Sequence, residues 1–201
     1  MRTLFLVPML LLLTACSGGA GTRLSPATHD LSSPQPEANS AHAGILRQVE
    51  VQSPPWLDTT AMQYRLSYAD RTRREAYAAS RWAAPPARLL EQKLKQRLLG
   101  GLVPMQEQAG GCRLRVDLDE FVQDFVKPET SQVILEASAT LLAPRADIFL
   151  ARQHFRVVQP AGGDAPSGVV ALAAAVRQFG DEIDGWLKQA GSETLKQCRL
   201  R

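Results

Sequence analysis

The sequence predicts an α+β domain, a two-layer sandwich in which two helices pack on one face of a mainly antiparallel sheet. Three observations carry that prediction. Apolar residues alternate with a period of two over residues 112–118, 133–141 and 149–157. They recur at helical spacing at Leu90, Leu94 and Leu98, and again at Val169, Leu172, Val176, Phe179, Ile183 and Leu187. The resulting order, strand–strand–helix–strand–strand–strand–helix, uses short connections, so both helices can cover the same sheet face.

The chain begins with a segment that is not part of this domain. Arg2 precedes an apolar run over residues 4–13, interrupted only by Pro8, and the run exits through Leu13-Thr14-Ala15-Cys16. A charged start, a short apolar core and a small-residue exit describe a secretory signal peptide over residues 1–15. The run is too short to span a bilayer, which needs about 20 apolar residues. Its exit resembles the bacterial lipobox, in which the cysteine is acylated and becomes the first residue of the mature chain. Each buried methylene contributes about 0.8 kcal/mol, so several chains on Cys16 would attach the protein durably. Ser17 stands where enterobacterial lipoproteins retained at the inner membrane carry Asp, which favours the outer membrane, with the domain facing the periplasm. Residues 16–44 are then read as the lipidated cysteine and a flexible tether, rich in Ser, Gly, Ala and Pro.

The domain itself is read as residues 45–201. Ile45, Arg47, Val49 and Val51 share one side of a first strand that stops at Pro54-Pro55. Residues 61–68 form a second, with a polar turn after it that includes Arg71, Arg73 and Arg74. Pro85-Pro86 open the first helix, since a proline in the first turn removes only an N–H that would be orphaned anyway. Gly100-Gly101 end it. From Cys112 onward, Leu114, Val116 and Leu118 face inward, with a bulge expected near Glu120. Two more strands, one holding Val133, Leu135, Ala137, Ala139 and Leu141, the other Phe149, Ala151, Phe155 and Val157, complete a meander. A last helix spans roughly residues 167–189.

Composition is that of an ordinary globular domain, with 45% hydrophobic and 21% charged residues. A net charge of +3 with scattered cations gives no footprint for nucleic acid. With Cys16 acylated, Cys112 and Cys198 remain. In an oxidising compartment they are candidates for one disulfide, and two free thiols are the alternative.

Catalytic patterns are missing. There is no G-x-S-x-G, H-E-x-x-H, P-loop or dinucleotide glycine pattern. His29, His42 and His154 have no zinc spacing, and no metal or cofactor is expected. Asp117, Asp119, Glu120 and Asp124 form the densest acidic group, but alternation puts the first two on the outer sheet face and the spacing matches no calcium loop. Gly162-Gly163-Asp164 reads as a connector before the last helix. The aromatics Trp56, Tyr64, Tyr77 and Trp82 cluster ahead of the first helix. They are either core or a contact surface for a protein partner.

The run Ile45-Leu46-Arg47-Gln48-Val49-Glu50-Val51, then Pro55-Trp56-Leu57, Met62-Gln63-Tyr64-Arg65, and Tyr77 ahead of Arg81-Trp82-Ala83-Ala84-Pro85, resembles the ABC-type transport auxiliary lipoproteins, the paraquat-inducible protein C-like group. Leu114-Arg115-Val116, Glu120-Phe121 and Phe155-Arg156-Val157 follow in the expected order. The sequence departs from the family near its start, where only Thr22-Arg23-Leu24-Ser25 could replace an aromatic-rich first strand.

The resemblance implies a non-catalytic lipoprotein that accompanies an ABC transporter and an MCE-domain protein. It would dock that protein's periplasmic tunnel at the outer membrane, with a homo-oligomeric ring as one arrangement. The system would move lipids or other hydrophobic molecules. Two other readings compete: a lipoprotein that assists outer-membrane biogenesis or activates a cell-wall synthase, and an envelope enzyme using the acidic group around Asp117.

Overall fold

The computed structural model describes residues 25–31, 45–99, 111–144, 148–190 and 192–198. The signal peptide, Cys16, His42, the Gly100-Gly101 helix stop and most of the expected tether lie outside these residues.

Among the described residues, seven strands and three helices occur in the order β1 (Ala27–His29), β2 (Leu46–Gln52), β3 (Ala61–Leu66), β4 (Arg74–Trp82), α1 (Pro86–Leu98), β5 (Cys112–Lys127), β6 (Thr130–Leu142), β7 (Phe149–Ala161), α2 (Ala165–Gln189) and α3 (Ser192–Cys198). The α+β prediction holds, with one mixed seven-stranded sheet ordered β1-β4-β3-β5-β6-β7. β5, β6 and β7 form the antiparallel meander. The other edge of β5 is divided: β2 lies parallel along its first half and β3 parallel near its end.

Strand identity follows from the pleat. In β5, Cys112, Leu114, Val116 and Leu118 are buried, and a register shift between Leu118 and Glu120 carries Phe121 onto the same face. The bulge is where the phase slip placed it. β6 contributes Val133, Leu135, Ala137, Ala139 and Leu141, and β7 contributes Phe155 and Val157, to one apolar cluster with both long helices. α1 buries Leu89, Leu90, Leu94 and Leu98. α2 buries Leu172, Val176, Phe179, Ile183 and Leu187, and Asp164 caps it by accepting the Ser167 N–H at 2.8 Å. Gly162-Gly163-Asp164 is thus a connector ending in a cap. Arg97 of α1 donates to both Asp181 and Asp184 of α2, tying the helices together on one face.

Several elements differ from the expectations drawn from the sequence. Ala27–His29 pairs parallel with β4 and Leu31 is buried, so residues 27–31 belong to the domain and not to the tether. Arg74 is no turn residue: it opens β4, a strand whose alanines give little strand preference but which is paired on both edges. In β2 a register irregularity between Leu46 and Gln48 turns Leu46 inward with Val49 and Val51, leaving Arg47 outside. A similar shift between Leu141 and Leu142 leaves Phe149 60% exposed, where alternation had placed it in the core.

The last described helix, α3, is fastened. Cys112 and Cys198 are bonded, with Cα atoms 4.8 Å apart, and both are fully buried. Gly111 precedes this junction with φ +89°, and its N–H donates to the Cys198 carbonyl at 3.0 Å. A side chain there would adopt a disfavoured conformation and press on Arg47.

A candidate partner-facing surface

The four aromatic candidates separate into three environments. Trp82, at the end of β4, is 2% exposed and packs edge-to-face on Phe121 with ring centroids 5.6 Å apart. Of the two readings the sequence left open, it takes the core one and is not on a contact surface: the strand β4, unrecognised in the sequence, directs it into the apolar cluster. Tyr64 and Tyr77 are half-buried and pair at 4.6 Å, with Phe125 edge-on to Tyr64 at 5.9 Å. Trp56, in the connection between β2 and β3, is 54% exposed. Its backbone carbonyl accepts from Gln63 Nε2 at 2.7 Å, so the turn that displays it is held against β3.

Tyr77 is occupied internally. Its hydroxyl donates to Gln123 Oε1 at 3.0 Å. The Gln123 amide donates onward to Ser131 Oγ, the Gly162 carbonyl and the Asp164 carbonyl, so one fully buried side chain joins β4, β5, β6 and the start of α2. Gly168 is required above it, because a Cβ there would collide with Gln123 Oε1. Burial first, then the neighbouring Tyr64 and Asp164, push the Tyr77 phenol up to about 12. Because the folded value exceeds the ordinary one near 10, the neutral phenol's stabilising contribution is complete below pH ~10 and is lost as pH rises through about 12. In an alkaline titration followed by tyrosinate absorbance, one of the three tyrosines is expected to ionise late, and Tyr77→Phe should abolish that phase. Three coincident ionisations would contradict the burial argument.

The acidic group does not converge. Asp117 pairs loosely with Arg115 at 3.7 Å. Asp119 is held above the usual carboxylate range by partial burial and the neighbouring Asp117. Glu120 accepts from Arg74 at 2.7 Å and from Arg65 at 2.8 Å. Burial would raise its carboxyl, but these two guanidinium groups outweigh that and hold it low. Asp124 is buried and accepts from Ser67 and Gln132. Among the described residues, no cluster of three or more His, Cys, Asp or Glu could hold a metal. His154 is on the outer side of β7, 3.2 Å from Glu136, as alternation placed it.

The sheet face opposite the helices therefore carries a network of paired charges, Arg65 and Arg74 on Glu120 and Arg156 on Glu136, with the His154 ring beside Glu136. Gln63 links Trp56 to it, since its Oε1 accepts from Arg74 at 3.4 Å. Exposed Ile148 and Phe149 form a second apolar spot, which the periodicity of β7 concealed. No described helix is long and apolar enough to cross a membrane, which leaves strands undecided.

These features define an α+β domain with helices on one sheet face and, among the described residues, exposed aromatics at Trp56 and Phe149. Residues 29–184 match the family described as "ABC-type transport auxiliary lipoprotein component", and the chain belongs to that family. No curated protein matches it. Protein XCC0632 from Xanthomonas campestris has the same fold at 19% identity, with a TM-score of 0.63 over 84% of this chain and 94% of its own. A second crystal structure, of an uncharacterized protein, aligns at 15% identity with a TM-score of 0.62 over 81% of this chain and 99% of that one.

Proposed function

We propose that this chain is the non-catalytic lipoprotein of an ABC/MCE-type transport system that moves lipids or other hydrophobic molecules across the envelope. In this reading Cys16 is acylated and holds the domain at the periplasmic side of the outer membrane. The domain docks the periplasmic tunnel of an MCE-domain protein, with copies closing into a ring around its end. Family membership over residues 29–184 carries the reading. Among the aromatic candidates, Trp56 supplies the contact, because it is exposed on a turn that Gln63 fastens to the sheet, and tryptophan is a frequent interface anchor.

The test is capture from detergent-solubilised envelopes with the intact acylated protein, followed by mass spectrometry. An MCE-domain protein is the expected companion, and Trp56→Ala should lose it while melting at the wild-type temperature. Recovery of a cell-wall synthase or an outer-membrane assembly protein in its place would overturn the reading.

A further inference from the structure

The direction of the first strand orients the domain. β1 runs parallel to β4, with Ala27 opposite Ser80 and His29 opposite Trp82. β4 starts at Arg74, just past the turn from β3, so the chain approaches β1 from the side of that turn. Pro26 restricts Ser25 to extended backbone, which favours a straight entry. Residues 17–26 alone separate Cys16 from Ala27, and fully extended they reach about 35 Å. The rise from Ser80 back to Arg74 accounts for roughly 20 Å in that direction. Even at that full reach the β3–β4 turn stands no more than about 15 Å from the anchor in this direction, and any shorter path brings it closer to the lipid surface.

The same end of the sheet holds the β5–β6 hairpin. The Tyr68 N–H donates to the Phe125 carbonyl at 3.3 Å, which joins the two turns. Tyr68 is 48% and Val126 42% exposed, and Arg71 and Lys127 are exposed beside them. A cavity of about 380 Å³ lies beside the turns on the sheet face away from the helices, with Arg65, Tyr68, Arg71, Asp124, Val126 and Arg156 in its wall. Its carboxylate is engaged, since Asp124 accepts from Ser67 and Gln132. Nearby, Glu75 pairs with Arg73 and Asp70 accepts from Thr72. Glu129 remains as an outward carboxylate on the hairpin. Arg71 and Lys127 have no ion-pair partner among the described residues. A tyrosine and a valine flanked by such cations suit the boundary layer of a bilayer, where tyrosine rings settle and cations meet lipid phosphates.

We propose that this end of the sheet rests on the phospholipid headgroups of the membrane that holds the anchor. Tyr68 and Val126 meet the boundary, and Arg71 and Lys127 meet headgroup phosphates. The inference rests on acylation of Cys16 as given under the proposed function.

The acylated full chain is compared by hydrogen exchange in detergent and in phosphatidylethanolamine–phosphatidylglycerol vesicles. Amides of residues 67–73 and of Val126, Lys127 and Glu129 should exchange several-fold more slowly on vesicles, and those of 148–151, at the opposite end, should not change. Protection at 148–151, or at neither end, overturns the orientation. Arg71→Glu combined with Lys127→Glu should remove the protection without moving Tm, and protection that survives the change refutes the phosphate contacts. Free glycerol phosphate added in detergent should not reproduce it; if it does, the surface takes a soluble phosphate and not a membrane. Intact mass reports acylation separately: an unacylated chain removes the anchor reading, whereas an acylated chain without protection removes only this orientation.

Discussion

Replacing both Cys112 and Cys198 with serine should lower the unfolding free energy by about 4–5 kcal/mol. The bond closes a span with a sequence separation of 86, so reduction frees a long stretch of the denatured chain. Loop closure of that length accounts for most of the figure. The native side adds to it, because both sulfurs are fully buried and the bond holds α3 against the start of β5, where the Cys198 carbonyl also accepts the Gly111 N–H. Urea denaturation with and without reductant measures this. Wild type in reductant should fall to the midpoint of the double variant, which reductant should not move. Equal midpoints for oxidised and reduced wild type would mean that the bond contributes nothing.

The second large effect is at Trp82. Trp82→Ala should cost about 3–5 kcal/mol, the range for removing a large aromatic from a packed interior. The residue is 2% exposed, its indole rests on Phe121, and its backbone N–H donates to the Thr60 carbonyl at 2.8 Å. Trp56→Ala, at an exposed site, should stay within about 0.5 kcal/mol. The pair is a direct comparison of one substitution in two environments. Comparable losses at both positions would contradict the division into a core and a displayed tryptophan, and with it the choice of Trp56 as the partner contact.

Much of the domain is legible in the amino-acid sequence. The first half of β5, most of β6 and most of β7 are written largely as alternation, because one face meets the helices; the opposite face is more polar, although Val122, Ile134, Ser138 and Thr140 on it are buried as well. The bulge near Glu120 shows as a broken phase. The stripe of α2 is unambiguous, and α1 announces itself through prolines at its start and leucines at helical spacing. The departures are local. Ala27–His29 is three residues in a proline-rich stretch and becomes a strand only because β4 offers an edge. β4 is poor in strand-forming residues and is held by pairing on both sides. Phe149 obeys the period of its strand, yet a register shift moves it out of the core.

The candidate surface is legible only in part. Trp56, Tyr64, Tyr77 and Trp82 are close in sequence and look equivalent there. The acidic residues from Asp117 to Asp124 look like one group. Adjacent strand positions point to opposite faces, and cations from other strands take up Glu120, so proximity in sequence says little about convergence in space.

The sequence by itself determined the α+β class, the period of each long element, the family and the absence of familiar catalytic patterns, because these depend on composition and local spacing. Only the tertiary structure decided which tryptophan is displayed, that β5 shares one edge between β2 and β3, and that the chain enters alongside β4. Those outcomes depend on pairings between residues far apart in the chain. Their free energy comes from burial and hydrogen bonding that no local segment can make alone.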